Sequence, residues 1–154
     1  VGAGKAGLLC LQEAMNRVFP HGKVICLEYD KSQCQAVREL GLAHHVIRAD
    51  AQRPLETLAA YQVVMGDGLA DFTVNCVNVP NTEVSSVIVT KDTGLVCFFS
   101  MSTNFAKASL GAEGIKKQTR MLIGNGYYPG HAEIAFQLIR EHSPLKQYFE
   151  TKFM

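Results

Sequence analysis

No apolar run in this 154-residue chain approaches the roughly 18 residues needed to span a bilayer. The start has neither a basic n-region nor a cleavage site, so it does not read as a signal peptide. Charge of one sign is also missing. Lys+Arg 15 against Asp+Glu 14 leaves a net charge of +1, which argues against nucleic acid or a membrane surface as partner. The five cysteines, Cys10, Cys26, Cys34, Cys76 and Cys97, form no CxxC pair, so a zinc ribbon or a thioredoxin-like site has no support. None has a His or Lys beside it to depress its pKa, and the expectation is five reduced, buried thiols in a cytoplasmic protein. The histidines show no ligand spacing, so no metal site is expected. Repeats, low-complexity segments and linkers are absent.

What remains is a packed chain with 47% hydrophobic and 19% charged residues, at a length typical of one domain. It opens Val1-Gly2-Ala3-Gly4, without an initiator Met. Two periods alternate along it. Leu8, Leu11, Met15 and Val18 form a helical stripe, and residues 23–27 form a short continuous apolar run, as in a strand buried on both faces. Ser32 and Gln35 fit a capping box for a helix over 33–40, ended by Gly41. Residues 45–48 read as a strand. Pro54 opens a helix running to about Met65, with Leu55, Leu58 and Ala59 on its apolar side.

Residues 72–77 form the next strand, and 82–90 a short helix capped by Thr82, with Val84, Val87 and Ile88 inward. Strands follow at 95–99 and from 121. Between them lies a helix interrupted by Gly111 and Gly114. Ala132, Ala135, Phe136 and Ile139 mark an amphipathic helix, and Pro144 starts a last one. Such alternation predicts an α/β fold, a doubly wound parallel sheet with helices on both faces. Ligands then bind beyond the carboxyl ends of the strands.

Gly2-Ala3-Gly4-Lys5-Ala6-Gly7 is a complete G-x-G-x-x-G leading into a helix. The first Gly permits the tight turn, the second lets a pyrophosphate approach, and the third lets helix and strand pack closely. Free N–H groups and the helix dipole favour the anion. Glu28 lies 21 residues past Gly7, close to the spacing of about 20 for an acid that holds the adenosine ribose. Its charge would repel a 2′-phosphate, which predicts NAD over NADP. Asp30 is a second candidate for that role, and Lys31 leaves room for NADP. A P-loop is excluded, because Ala6 follows Gly4-Lys5 where Ser or Thr is needed. Lys5 is a phosphate neighbour or a solvated loop charge. The motif predicts that residues 1–154 are a Rossmann-type NAD-binding domain, truncated at its N-terminus, with Val1 expected as the last residue of a first strand mostly absent from the sequence.

The other strand-end loops carry the remaining candidates. Asp50 and Ala51 can meet the adenine edge, or Asp50 can serve as a helix-start acid before Pro54. Asn78 can hold a ribose hydroxyl or the carboxamide, and Ser100 can face the nicotinamide. Glu83 reads as a first-turn helix acid rather than a base. Tyr127 joins Asn78 and Ser100 as a substrate-pocket candidate, and His131 reads as structural rather than as an acid/base. No catalytic base is assigned. The edge position expected for the strand at 121 would allow pairing into a homo-oligomer.

The phrases VGAGKAGLLCLQEAM, NCVNVPNTE, FFSMSTNF, LGAEG and IGNGYYPGHAE together resemble the L-erythro-3,5-diaminohexanoate dehydrogenase family, across nearly the whole chain. NCVNVPNTE and GNGYYPGHAE are far more specific than the glycine loop. The resemblance implies oxidative deamination of 3,5-diaminohexanoate to 5-amino-3-oxohexanoate with NAD, in lysine fermentation. It implies a nucleotide domain like that of medium-chain dehydrogenases. It also implies a preceding substrate domain absent from this sequence, and little activity for this part alone. Gly2, Gly4, Gly7 and Glu28 carry over to dinucleotide binding, where the family more often has Asp than Glu at the last place. Two other classes use similar loops: S-adenosylmethionine-dependent methyltransferases and non-enzymatic nucleotide-sensing domains.

Overall fold

The computed structural model describes residues 1–18, 20–124 and 128–153. Among the described residues the elements run α1 (Lys5–Val18), β1 (Ile25–Glu28), α2 (Lys31–Glu39), β2 (His45–Arg48), α3 (Pro54–Met65), β3 (Ala70–Asn75), α4 (Glu83–Ile88), β4 (Thr90–Phe98), α5 (Phe105–Gly114), β5 (Arg120–Ile123), α6 (His131–Glu141) and α7 (Ser143–Phe153). β1 pairs with β2, and β3, β4 and β5 pair in that order, all in parallel. Val1 and Gly2 stitch the two groups together. Val1 N donates to Val74 O at 2.6 Å and Cys76 N to Val1 O at 2.9 Å, the pattern of a parallel ladder. On the other side Gly2 N donates to Leu27 O at 2.8 Å. The glycine turn therefore springs from the middle of the sheet.

Both faces are covered at β1 and β2. Cys26 packs with Leu8, Leu11, Val37 and Leu145, so α1, α2 and α7 lie on one side. The next residue, Leu27, packs with Ile47, Tyr61 and Val89 beside α3 on the other. Neighbouring strand residues buried on opposite faces are why residues 23–27 read as a continuous apolar run. Val87, Val96, Phe98, Ala108 and Ala112 extend the core under α4 and α5. Among the described residues, no helix is long and apolar enough to cross a membrane.

Several local expectations are corrected. Asp30, not Ser32, caps α2: its carboxylate accepts from Gln33 N at 2.8 Å, because the helix begins earlier, at Lys31. Gly41 follows the helix at φ +67°, the left-handed backbone that ends it. Thr82 precedes α4 without a side-chain cap bond, since its hydroxyl is taken by Asn75. α5 runs unbroken through Gly111, where an added Cβ would come 2.6 Å from Val84 Cγ2; the glycine lets α5 close on α4. In α3 the buried residues are Thr57 and Tyr61, while Leu55 stands exposed. Thr57 Oγ1 donates to Asp50 O at 2.9 Å, which fixes the helix rotation against the apolar pattern. In α6 Leu138 is buried and Phe136 exposed, so the inward stripe is rotated from the expected one.

Candidate functional site

The carboxyl ends of the strands gather at the first turn of α1. Its first internal bond runs from Leu8 N to Gly4 O at 2.9 Å. The N–H groups of Lys5, Ala6 and Gly7 precede that bond, as in every helix start, and make a positive end. Gly2 holds φ +84°, and a Cβ there would come 2.6 Å from Val77 Cγ2. A Cβ on Gly7 would come 2.1 Å from Gly2 O. Gly4 is different: it is exposed, and a Cβ there would meet nothing within 4 Å. Two glycines are needed by the turn itself, and the third opens a cradle over the helix start. A pyrophosphate fits that cradle.

Glu28 closes the turn. Its Oε2 accepts from Ala3 N at 2.6 Å, and its Oε1 from Tyr29 N at 2.8 Å and Asp30 N at 2.9 Å. The acid expected to face the ribose is thus also a clasp between glycine loop and β1. Asp30 is committed elsewhere. The Ser32 hydroxyl at 2.5 Å and the Gln33 amide hold its carboxyl below the ordinary carboxylate range.

A brace missed at the sequence level runs behind the turn. Gln33 Nε2 donates to Ala3 O, and Tyr148 Oη on α7 donates to Gln33 Oε1 at 3.0 Å. Lys5 turns toward the same helix, its Nζ 4.7 Å from the Phe153 ring centre. Its ammonium therefore rests on an aromatic face, while its backbone N–H stays at the helix start.

Asp50 Oδ1 accepts from Gln52 N at 3.0 Å, and its other oxygen lies 3.8 Å from Arg53 Nε. It shapes the turn before α3. Ala51 O accepts from Ser85 Oγ at 2.6 Å, and Gln52 Nε2 donates to Pro80 O at 2.9 Å, which ties the loops after β2 and β3.

Asn78 and Ser100 come together at the ends of β3 and β4. Ser100 Oγ donates to Val77 O at 2.6 Å, accepts from Ser102 N at 3.1 Å, and lies 3.2 Å from Asn78 Oδ1. Asn78 is exposed and free to meet a ligand. Tyr127 lies outside the described residues. His131 opens α6 on the surface, its Nδ1 2.8 Å from Tyr128 O.

Beneath this pair sits Asn75, a buried polar hub. Its Nδ2 donates to Thr82 Oγ1 at 3.0 Å and Ser86 Oγ at 2.9 Å, and its Oδ1 accepts from Val77 N at 2.9 Å. It shapes the whole 76–82 loop, including Asn81 at φ +69°. Glu83, also buried, accepts from Asn104 N at 2.7 Å and joins this loop to the next. A lone Asn inside an apolar strand was the available signal. Asn75→Ala is expected to destabilise the fold by about 2–3 kcal/mol, since it strands buried partners. Urea unfolding measures this.

Three of the five cysteines depart from expectation. Cys26 and Cys34 are buried, but Cys10 on α1, Cys76 just after β3 and Cys97 on β4 are half-buried. All five are free thiols. Burial pushes Cys26 up to about 12, so it stays an inert thiol. Among the described residues no group of His, Cys, Asp or Glu could hold a metal ion.

No protein-family model matches the chain. It is 43% identical over 152 residues to the L-erythro-3,5-diaminohexanoate dehydrogenase of Acetoanaerobium sticklandii, and 40% identical to that of Fusobacterium nucleatum. Each match covers 99% of this chain and 44% of the relative, so the chain spans less than half the length of those proteins. Among solved structures, one resembles it with a TM-score of 0.64 at 18% identity, over 92% of this chain and 40% of the other. That protein, from Sinorhizobium meliloti, is described as a zinc-binding dehydrogenase and was solved bound to NADP. A second, AibC, gives a TM-score of 0.67 at 19% identity, over 93% and 37%. These two likenesses establish the fold: parallel strands with helices on both sides.

Proposed function

We propose that this chain is the nicotinamide-dinucleotide-binding part of an NAD-dependent amine dehydrogenase. The reaction is oxidative deamination of 3,5-diaminohexanoate to 5-amino-3-oxohexanoate with release of ammonium, a cytoplasmic step of lysine fermentation. The observation that carries the reading is the glycine turn clasped by Glu28, with its cradle open only at Gly4. Identity of 43% and 40% to dehydrogenases of that name supports the substrate.

The residues present divide the work. The α1 start receives the pyrophosphate, and Glu28 holds the ribose hydroxyls of the adenosine. The cofactor, when bound, supplies the hydride acceptor. Asn78 and Ser100 form one wall for the nicotinamide end and the substrate, with Tyr127 a further proposed member. Their role is orientation, since neither an amide nor a hydroxyl is a base at neutral pH. Alignment of the donor carbon is worth several kcal/mol, up to about 7–11 in favourable cases. A base outside this set must take a proton from the substrate ammonium before hydride can leave.

The test is a titration of the full-length protein with NADH, followed by fluorescence, beside calorimetry with S-adenosylmethionine. We expect NADH to bind and S-adenosylmethionine not to. Turnover of 3,5-diaminohexanoate with NAD then separates an enzyme from a nucleotide sensor. Tight S-adenosylmethionine binding without an NADH response overturns the reading.

A further inference from the structure

Cys10 lies on α1 one turn beyond Gly7, and Cys76 follows β3 directly. Their sulfurs are 4.0 Å apart, with the Cys76 thiol donating. Cys76 is fixed by its N–H bond to Val1 O at 2.9 Å. A Cβ on Gly7 would lie 3.9 Å from Cys76 Cβ, so the thiol pair sits directly under the glycine turn. Both residues are half-buried, within reach of a small oxidant.

We propose that Cys10 and Cys76 are a redox modification site, closing to a disulfide beneath the glycine turn on exposure to a peroxide. A disulfide needs about 2.05 Å between sulfurs, so the contact must shorten by about 2 Å. Cys76 is anchored in the sheet edge of the turn, so α1 has to give. The chemistry balances in two steps. The Cys10 thiolate attacks one peroxide oxygen, the O–O bond breaks, and hydroxide leaves to take a proton as water. The product is a sulfenic acid on Cys10. Cys76 then attacks the Cys10 sulfur, the S–O bond breaks, and a second water leaves as the S–S bond forms. Two thiols lose two electrons and two protons, and the peroxide is reduced to two waters.

The roles follow from the contact. The Cys76 thiol, by donating to the Cys10 sulfur, holds Cys10 below the ordinary thiol range against the burial that raises it. The same contact pushes Cys76 up, and burial adds to it. Cys10 is therefore the attacking thiol. Its oxidation removes the thiolate that suppresses Cys76, which is then free to resolve it. Cys97, on β4, is raised by burial and is not poised to compete.

The disulfide does not depend on the dinucleotide reading; only its effect on affinity does. The experiment treats the full-length protein with hydrogen peroxide, digests it without reductant, and maps linked peptides by mass spectrometry. The expected product is a Cys10–Cys76 link that a thiol reductant reverses. Cys76→Ser should leave a sulfenic acid on Cys10 that dimedone traps, and Cys10→Ala should give neither product. NADH affinity should fall by about tenfold on oxidation, equal to about 1.4 kcal/mol, and recover on reduction. A link through Cys97, or overoxidation of Cys10 without any link, overturns the proposal. Failure of the dinucleotide reading shows separately, as absence of any NADH response in the reduced protein before oxidant is added.

Discussion

Gly7→Ala is expected to destabilise the protein by about 3 kcal/mol or more, while Gly4→Ala leaves it folded. Helix propensity alone predicts the opposite sign at position 7, because alanine in a helix interior is favoured over glycine by roughly 1 kcal/mol. Geometry decides. The new Cβ would stand 2.1 Å from Gly2 O and 2.9 Å from Gly2 C, both backbone atoms that cannot swing aside. Relief requires moving α1 away from the turn, and overpacking of this kind costs about 1–3 kcal/mol or more. Gly2 cannot yield, since its own Cβ space is filled by Val77 and it holds φ +84°. For a domain of this size such a loss lowers Tm by roughly 6–12 °C. At Gly4 nothing stands within 4 Å of the added Cβ. Gly4→Ala should therefore unfold like the parent protein yet bind NADH at least about tenfold more weakly, because only a bound pyrophosphate meets that methyl. Calorimetric unfolding and NADH titration of the two variants separate them. If Gly4→Ala binds NADH normally, the cradle is not the phosphate site.

The same contrast marks where sequence reasoning stops. Boundaries set by local chemistry were legible. Pro54 at the first helical position and Met65 at the last delimit α3 as expected, and β2 falls at residues 45–48. Rotation of a helix about its axis was less so. Thr57 bonding to Asp50 O turns Leu55 out, and Leu138 replaces Phe136 as the buried residue of α6. At α3 a hydrogen bond outweighs the apolar pattern, which records only what a face could bury. The place of Glu28 at the end of β1 was legible because its spacing from Gly7 is fixed by one helix and one strand. Its bond to Ala3 was not, nor was the meeting of Cys10 with Cys76 across 66 residues of sequence. Such contacts depend on how strands are ordered in the sheet, and spacing along the chain carries no measure of that. Asn78 and Ser100 were placed together for a simpler reason: adjacent parallel strands end side by side.

Glu28→Ala should lower NADH affinity by about 100-fold and stability by about 2–3 kcal/mol, and Glu28→Gln should do nearly as much. The reason is the number of donors facing this carboxylate. Ala3, Tyr29 and Asp30 all present N–H groups to it, on both oxygens. Bonds to an ionised acceptor contribute about 1.5–3 kcal/mol, and the buried Ala3 donor left unmet costs about 1–3, while the Tyr29 and Asp30 N–H groups are exposed and turn to water. Glutamine has one oxygen to offer. With that oxygen toward Tyr29 and Asp30, its amide N–H₂ confronts the Ala3 N–H, and the reverse placement confronts the other two. A neutral isostere therefore opens the clasp that sets the glycine turn. Three of a carboxylate's roughly four acceptor positions are taken within the protein, which leaves about one for a ribose hydroxyl. Cofactor choice should shift as well. Arg48 Nε donates to Tyr29 O at 3.1 Å, so a guanidinium stands beside the same strand ends. Removing the Glu28 charge leaves that cation to attract a 2′-phosphate, and the NADPH to NADH affinity ratio should rise at least about tenfold. The two roles separate in one pair of measurements. A variant that loses stability but keeps both NADH affinity and its preference over NADPH would make Glu28 a strut of the turn and no part of the ribose site.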